Sequence, residues 1–189
     1  MVAAVVENEP NHDLRVVVLA DTHMRTPGPH EHGRPPGLPA TAWEHLRGAD
    51  AILHAGDILD AGVLTLLAAV APVYAVLGNN DLTLVGLLPT ARVVEIGGVR
   101  IGMIHDSGMS DGRAERMNRR FPDAHVVVFG HSHVPVNEQG VGNQLLFNPG
   151  SPTQRRAQPV HTLGEFRIAG GALVEHRIIA LDSPPVRHT

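Results

Sequence analysis

Short apolar runs alternate with polar breaks rich in glycine and proline along most of the chain. LRVVVLA (14–20) is dense in β-branched residues and reads as a buried strand. AILHAGD (51–57) and PVYAVLGNND (72–81) read as two more, each running into a polar turn. A helix is predicted over about 41–48 with Thr41 as N-cap, and another over 60–70 with Asp60 as cap. RVVEI (92–96) and RIGMIH (100–105) read as two strands joined by Gly97-Gly98, a hairpin signal. Residues 110–121 suit a helix capped by Ser110 or Asp111. HVVVFGHSH (125–133) and QLLFNPGS (144–151) are further buried strands, the second closed by a Pro-Gly turn. TLGEFRI (162–168) and ALVEHRII (172–179) alternate polar and apolar around Gly170-Gly171, which predicts a half-exposed hairpin. The first half alternates strand and helix, favouring parallel pairing, and the second half is mostly strands.

Residues 1–13 and 183–189 read as flexible tails around a single domain over 14–182. The stretch 24–40 is dense in Pro and Gly and must be a loop, either an insertion over a site or a disordered segment. Exposed strands after 160 offer edges on which copies of the chain could pair into a homo-oligomer.

Composition narrows the chemistry. With 189 residues and 43% hydrophobic residues, the chain can bury a sizeable core as one domain or two small ones. The formal net charge is −4 and the 15 basic residues are scattered, which argues against nucleic acid or an anionic membrane as main partner. There are no cysteines, so disulfides, iron–sulfur clusters and a thiol nucleophile are excluded. No apolar run approaches the roughly 20 residues needed to span a bilayer. The N-terminus lacks the basic start and long apolar run of a signal peptide, so a cytoplasmic location is the expectation. The 13 histidines stand out, because imidazole and carboxylate are then the available metal ligands.

The polar residues cluster at strand ends. Asp21 and His23 follow the first strand, Asp57 the second, and Asn79, Asn80 and Asp81 the third. His105 closes a fourth and His131 and His133 another. The carboxyl ends of strands in open α/β sheets converge and bind ligands, so these residues are predicted to face one pocket. Any one of them alone is ordinary; the ordered set, each after a predicted strand, is not. Asp21, His23, Asp57, Asn79, His105, His131 and His133 suit Mn²⁺, Fe²⁺, Ni²⁺ or Zn²⁺. Seven ligands are too many for one such ion and about right for two sharing a bridging carboxylate. Paired ions of that kind clamp both oxygens of an in-line phosphoryl displacement, and a hydroxide between them is ionised near neutral pH.

LADTH, LHAGD, LGNND, the strand ending in His105, VVFGHSHVP and FNPGS together resemble the calcineurin-like metallophosphoesterase superfamily, in particular its small YfcE-type phosphodiesterases. The likeness covers about residues 14–180. It implies a four-layer α-β-β-α sandwich of two mixed sheets flanked by helices. It implies that Asp21, His23 and His133 hold one metal, that Asn79, His105 and His131 hold the other, and that Asp57 bridges them. Asp57, Asn80 and His105 are then the residues expected to bear on catalysis, with two divalent ions as cofactor, Mn²⁺ foremost. A small phosphodiester is the expected substrate, ahead of a phosphomonoester. A retromer subunit with a similar fold serves as a scaffold after losing ligand residues, which leaves a metal-binding interaction module as the alternative; none of the seven is lost here.

Two departures bear on substrate. Many superfamily members carry a His where Asn80 stands, and an amide can donate a hydrogen bond but cannot act as an acid near neutral pH. After His105 the family's Gly-His is replaced by Asp106-Ser107. Asp81 is expected to fix its loop or orient a ligand histidine, and His54 is a buried structural residue or a support for a ligand. Arg25, Arg155 and Arg156 are expected on solvated surface, with phosphate pairing the alternative. His30 and His32 lie in the Pro-rich loop, and the Asn148–Ser151 turn is expected to shape the rim of the site.

Overall fold

The computed structural model of the chain describes residues 5–6, 13–26 and 37–181. Most of both expected tails, the centre of the Pro-rich loop, and His30 and His32 lie outside the described residues. Within the expected N-terminal tail, Val5–Val6 (β1) pair in parallel with Glu95 and Ile96.

The apolar runs form the strands read from the sequence, but each stops before its polar end. These are β2 (Leu14–Leu19), β3 (Ala51–His54), β4 (Val73–Ala75), β5 (Ala91–Ile96), β6 (Val99–Ile104) and β7 (Val126–Val128). They are followed by β8 (Val136–Gln139), β9 (Leu145–Asn148), β10 (Thr162–Ala169) and β11 (Ala172–Ala180). Strand β8 was not foreseen, because its VNEQ is exposed and polar; it is an edge strand antiparallel to β9. Both Gly-Gly pairs turn hairpins with positive φ at each glycine, 54° and 83° at Gly97-Gly98 and 57° and 81° at Gly170-Gly171.

Helix α1 (Ala40–Leu46) begins after Pro39, not at a Thr41 cap; Thr41 lies inside it and its hydroxyl donates to the Leu181 carbonyl. Helix α2 (Ala61–Ala68) is capped by Asp60, whose carboxylate accepts the Gly62 N–H at 2.7 Å. Helix α3 (Arg113–Arg120) starts from a left-handed Gly112 instead of a Ser110 or Asp111 cap. Its Arg116 reaches back to the Ser107, Met109 and Asp111 carbonyls. No helix among the described residues is long and apolar enough to cross a membrane.

The strands make two mixed sheets, a six-stranded one ordered β1-β5-β6-β7-β9-β8 and a five-stranded one ordered β11-β10-β2-β3-β4. Side-chain alternation on β2 explains the layering. Val16, Val18 and Ala20 face the other sheet and pack with Ile101, Met103, Val128 and Phe147. Val17 and Leu19 face outward onto Leu46 of α1 and Val63 and Leu67 of α2. On the opposite side Met117 of α3 and Phe121 just after it cover Val127, Phe129 and Leu146. Phe147 and Phe166 meet edge to face across the sheets, with ring centroids 4.7 Å apart. The result is the expected four-layer sandwich. Strands β2, β3 and β4 run parallel in one sheet, and β6, β7 and β9 in the other.

Strand β10 departs from the half-exposed reading: it lies between β2 and the edge strand β11, with Leu163 and Phe166 buried on opposite faces. Its Glu165 is buried too, and pairs with Arg15 at 3.1 Å and with Arg177. Arg15 also donates to the His45 and Arg47 carbonyls at the end of α1. This carboxylate therefore ties β2, β10, β11 and α1 together.

Burial would raise the Glu165 carboxyl, but the hydrogen bonds from Arg177 and Arg15 outweigh it and hold the group below its ordinary 4.5. Its contribution to stability is thus complete above that value and is lost as pH falls through the lowered folded value. Glu165→Gln should cost about 1–3 kcal/mol of unfolding free energy at pH 7. In urea titrations the gap between parent and variant should close as pH is stepped down toward 3; a gap that persists there would overturn the ion-pair account.

Candidate metal centre

Five parallel strands, β2, β3, β4, β6 and β7, end at one edge of the sandwich and hand the chain to loops carrying the seven polar residues. The backbone there is unusual. Asp21, His23, Asp57, His131 and His133 all adopt left-handed conformations, with φ of 53°, 43°, 58°, 71° and 60°. Among the described non-glycine residues only Leu59 and Arg156 share that region. Such conformations cost on the order of 1–3 kcal/mol each and persist where surrounding contacts over-determine them. They also explain why the strands stop short, since a left-handed residue breaks the ladder.

The over-determining contacts are visible. Asp81 is buried, and its two carboxylate oxygens accept four backbone N–H groups: Asp57 at 2.9 Å, Ile58 at 2.6 Å, Leu59 at 2.7 Å and Gly78 at 2.8 Å. Of the two roles foreseen for Asp81, it fulfils the first, holding the loops and no histidine. The loops it joins touch backbone to backbone, so that a Cβ on Gly78 would fall 2.1 Å from the Asp57 nitrogen. The Asn148–Ser151 turn does more than shape a rim. Asn148 donates to the Gly130 carbonyl, Ser151 donates to the Asp21 carbonyl at 2.8 Å, and Thr153 donates to the Thr22 carbonyl at 2.7 Å. It thereby staples the Asp21 loop to the His131 loop. Ser and Thr side chains next to a Pro-Gly turn were the only sequence signal of this.

Within this frame the side chains fall into two groups that meet at Asp57. His133 Nε2 lies 3.4 Å from His23 Nε2 and 3.6 Å from Asp21 Oδ1, and His23 Nε2 lies 3.5 Å from Asp57 Oδ2. In the other group, Asn79 Oδ1 lies 3.0 Å from His105 Nε2 and 2.9 Å from His131 Nδ1, and His105 Nε2 lies 3.5 Å from Asp57 Oδ1. Each oxygen of Asp57 thus faces a different group.

Hydrogen bonding fixes which ring nitrogens face inward. His105 Nδ1–H donates to the Ala55 carbonyl at 2.7 Å, and His133 Nδ1–H donates to the Gln154 carbonyl. Their Nε2 lone pairs therefore point at Asn79 Oδ1 and Asp21 Oδ1, which are themselves acceptors. Lone pairs facing lone pairs at 3.0–3.6 Å repel unless a cation stands between them. Electrostatics agree. Burial, then the charge of Asp57, pushes the Asp21 carboxyl up to about 8, and its buried Oδ2 has no hydrogen-bond partner. Burial holds His23 and His133 below the ordinary histidine value and so neutral. Burial would raise Asp57, but the Asn80 hydrogen bonds and the neighbouring His105 and His23 hold it low and ionised. An imidazole, carboxylate and amide set with an unpartnered buried oxygen fits divalent transition-metal ions. Asp21, His23 and His133 bring ligand atoms within 4.8 Å of one another, as do Asp21, Asp57 and His105.

Asn80, His54 and the Arg155-Arg156 pair lie around these two groups. Asn80 is exposed, and its backbone N–H donates to Asp57 Oδ1 at 2.8 Å and one amide N–H to Oδ2 at 2.7 Å. His54 is fully buried and contacts Thr22 Oγ1 at 3.0 Å, and burial pushes it down to about 3, so it is a neutral core residue behind the Asp21 loop. Arg156 hydrogen-bonds the His131 carbonyl at 3.4 Å, whereas Arg155 turns to the Gln158 carbonyl.

The chain matches known proteins in this region. Residues 14–169 match the model of the calcineurin-like phosphoesterase superfamily domain. A "Probable metallophosphoesterase" of Methanothermobacter thermautotrophicus is 33% identical over 145 residues, covering 76% of this chain and 80% of that protein. Among solved structures, zinc-complexed Vps29 from Entamoeba histolytica aligns with a TM-score of 0.64 at 21% identity, over 89% of this chain and all of the other. The E. coli phosphoesterase YfcE aligns with a TM-score of 0.53 at 20% identity, over the same share of each. At those identities the two structures speak for the fold alone. The family match and the archaeal relative speak for more: this chain belongs to the calcineurin-like metallophosphoesterase superfamily.

Proposed function

We propose that this protein is a dinuclear metal-dependent phosphodiesterase. The observation that carries the reading is the division of seven side chains into two lone-pair clusters that share Asp57, one carboxylate oxygen turned to each. Asp21, His23 and His133 would hold one ion, Asn79, His105 and His131 the other, with Asp57 between them. Two divalent ions so held supply Lewis-acid charge to a phosphoryl group and make water acidic enough to attack at neutral pH. The remaining roles belong to the chain. His105 and His133 turn Nε2 inward by giving their Nδ1–H to backbone carbonyls. Asn80 orients Asp57 and keeps it ionised. An amide cannot protonate a leaving group, which favours substrates whose departing alcohol is already a good leaving group. Mn²⁺ is the metal this donor set suits first, with Ni²⁺, Fe²⁺ and Zn²⁺ as competitors.

Metal-stripped protein should not hydrolyse a chromogenic aryl phosphodiester, and adding back Mn²⁺ should restore turnover. Stoichiometric metal binding without turnover of any phosphoester would favour an interaction module of the same fold. Asp57→Asn should lower kcat/KM by at least about 100-fold, or ~2.7 kcal/mol, and weaken both metals; a rate near that of the parent would overturn the shared-carboxylate assignment.

His131→Ala and His133→Ala should each lower bound metal, measured by plasma emission after dialysis, from about two ions to about one. The ion retained should differ between the two variants, as read from the Co²⁺ spectrum of the substituted protein. Identical residual spectra would argue against two separate half-sites.

A further inference from the structure

The two half-sites account for the acceptors around the centre but leave the charge of the substrate unanswered. A phosphoester arrives with anionic oxygens, and fixed hydrogen-bond donors hold them best. On the turn after β4, Asn80 gives its backbone N–H and one amide N–H to Asp57, which leaves a single uncharged N–H for the substrate. Most other arginines are engaged elsewhere: Arg15 and Arg177 on Glu165, Arg167 on Asp13, and Arg116 on the loop before α3.

Arg156 is different in three respects. First, among the described residues it has no carboxylate partner, and its one hydrogen bond there, from Nη1 to the carbonyl of His131, engages one of its five N–H donors. Second, it rides on a segment fastened to the centre at three points. Ser151 holds the Asp21 carbonyl, Thr153 the Thr22 carbonyl, and the Gln154 carbonyl takes the His133 N–H. Third, its backbone is left-handed, with φ of 49°. Leu59, the other such residue outside the seven, is held by Asp81, whereas Arg156 is exposed. Its positive charge is felt at Asp21, His23 and His133.

We propose that Arg156 is the phosphate-binding residue of this centre, its guanidinium taking an anionic phosphoryl oxygen at the mouth of the metal site. The inference rests on the phosphoesterase reading and names the group that grips the substrate. It also separates neighbours that look alike in sequence, since Arg155 bonds the Gln158 carbonyl and Arg156 the His131 carbonyl.

The test is binding of inorganic phosphate to the metal-loaded protein by titration calorimetry, beside metal content and hydrolysis of the aryl phosphodiester. Arg156→Gln should weaken phosphate about 10–100-fold, the loss of a hydrogen bond to a charged group, with metal content unchanged. Its effect on hydrolysis should fall mainly on KM. Arg156→Lys should recover part of the affinity, because it restores the charge but not the planar fork. Arg155→Gln should bind phosphate like the parent. Phosphate affinity unchanged in Arg156→Gln, or equal losses in Arg155→Gln, would overturn the assignment, as would a parent that binds no phosphate. A parent that binds phosphate through Arg156 but hydrolyses nothing would sink the catalytic reading and leave this inference standing.

Discussion

One buried carboxylate carries much of this architecture. Asp81 accepts four backbone N–H groups from two loops, and no other described side chain gathers as many. A hydrogen bond to a charged acceptor is worth about 1.5–3 kcal/mol. Four of them can hold Asp57 and Leu59 in left-handed conformations that the loop would otherwise abandon. With Gly78 pressed against Asp57, the ends of β3 and β4 become a rigid pair. The clusters on either side of Asp57 take their spacing from that pair.

The second constraint is electrostatic. A cluster of acceptors, partly buried and stripped of protons by outward hydrogen bonds, is unfavourable as a piece of protein alone. Asp21 illustrates the cost, since burial and the neighbouring Asp57 push its carboxyl far above the ordinary range. Fold stability does not ask for such an arrangement, and a cation relieves it. The same fold without this set would be inert packing, which is why likeness of shape to Vps29 and to YfcE alike says little about activity. Chemistry is marked instead by the seven side chains and by the backbone strain beneath five of them.

Sequence reading recovered the elements whose signals are local. β-Branched runs became strands, Gly-Gly pairs became hairpins, and Asp60 became a cap. It failed where the deciding contact is distant. Thr41 was drawn from a cap into the helix, its hydroxyl bonded to Leu181, 140 residues away. Strand β10 looks half-exposed by alternation, yet β11 covers one edge and Arg15 and Arg177 neutralise its buried glutamate. Asn80 reads as a donor to substrate, and only the packed loops show that its backbone N–H and one amide N–H go to Asp57.

By itself the sequence determined the inventory: the buried strands, which polar residues follow them, and that the imidazoles, carboxylates and an amide number enough for two ions. These follow from periodicity and residue chemistry, which act over a few positions. Only the tertiary structure decided which oxygen of Asp57 faces which histidine, which ring nitrogens turn inward, and that Arg156 rather than Arg155 stands by the centre. Those choices are made by hydrogen bonds between loops on different strands, and they exist only once two sheets have packed and brought the loops together.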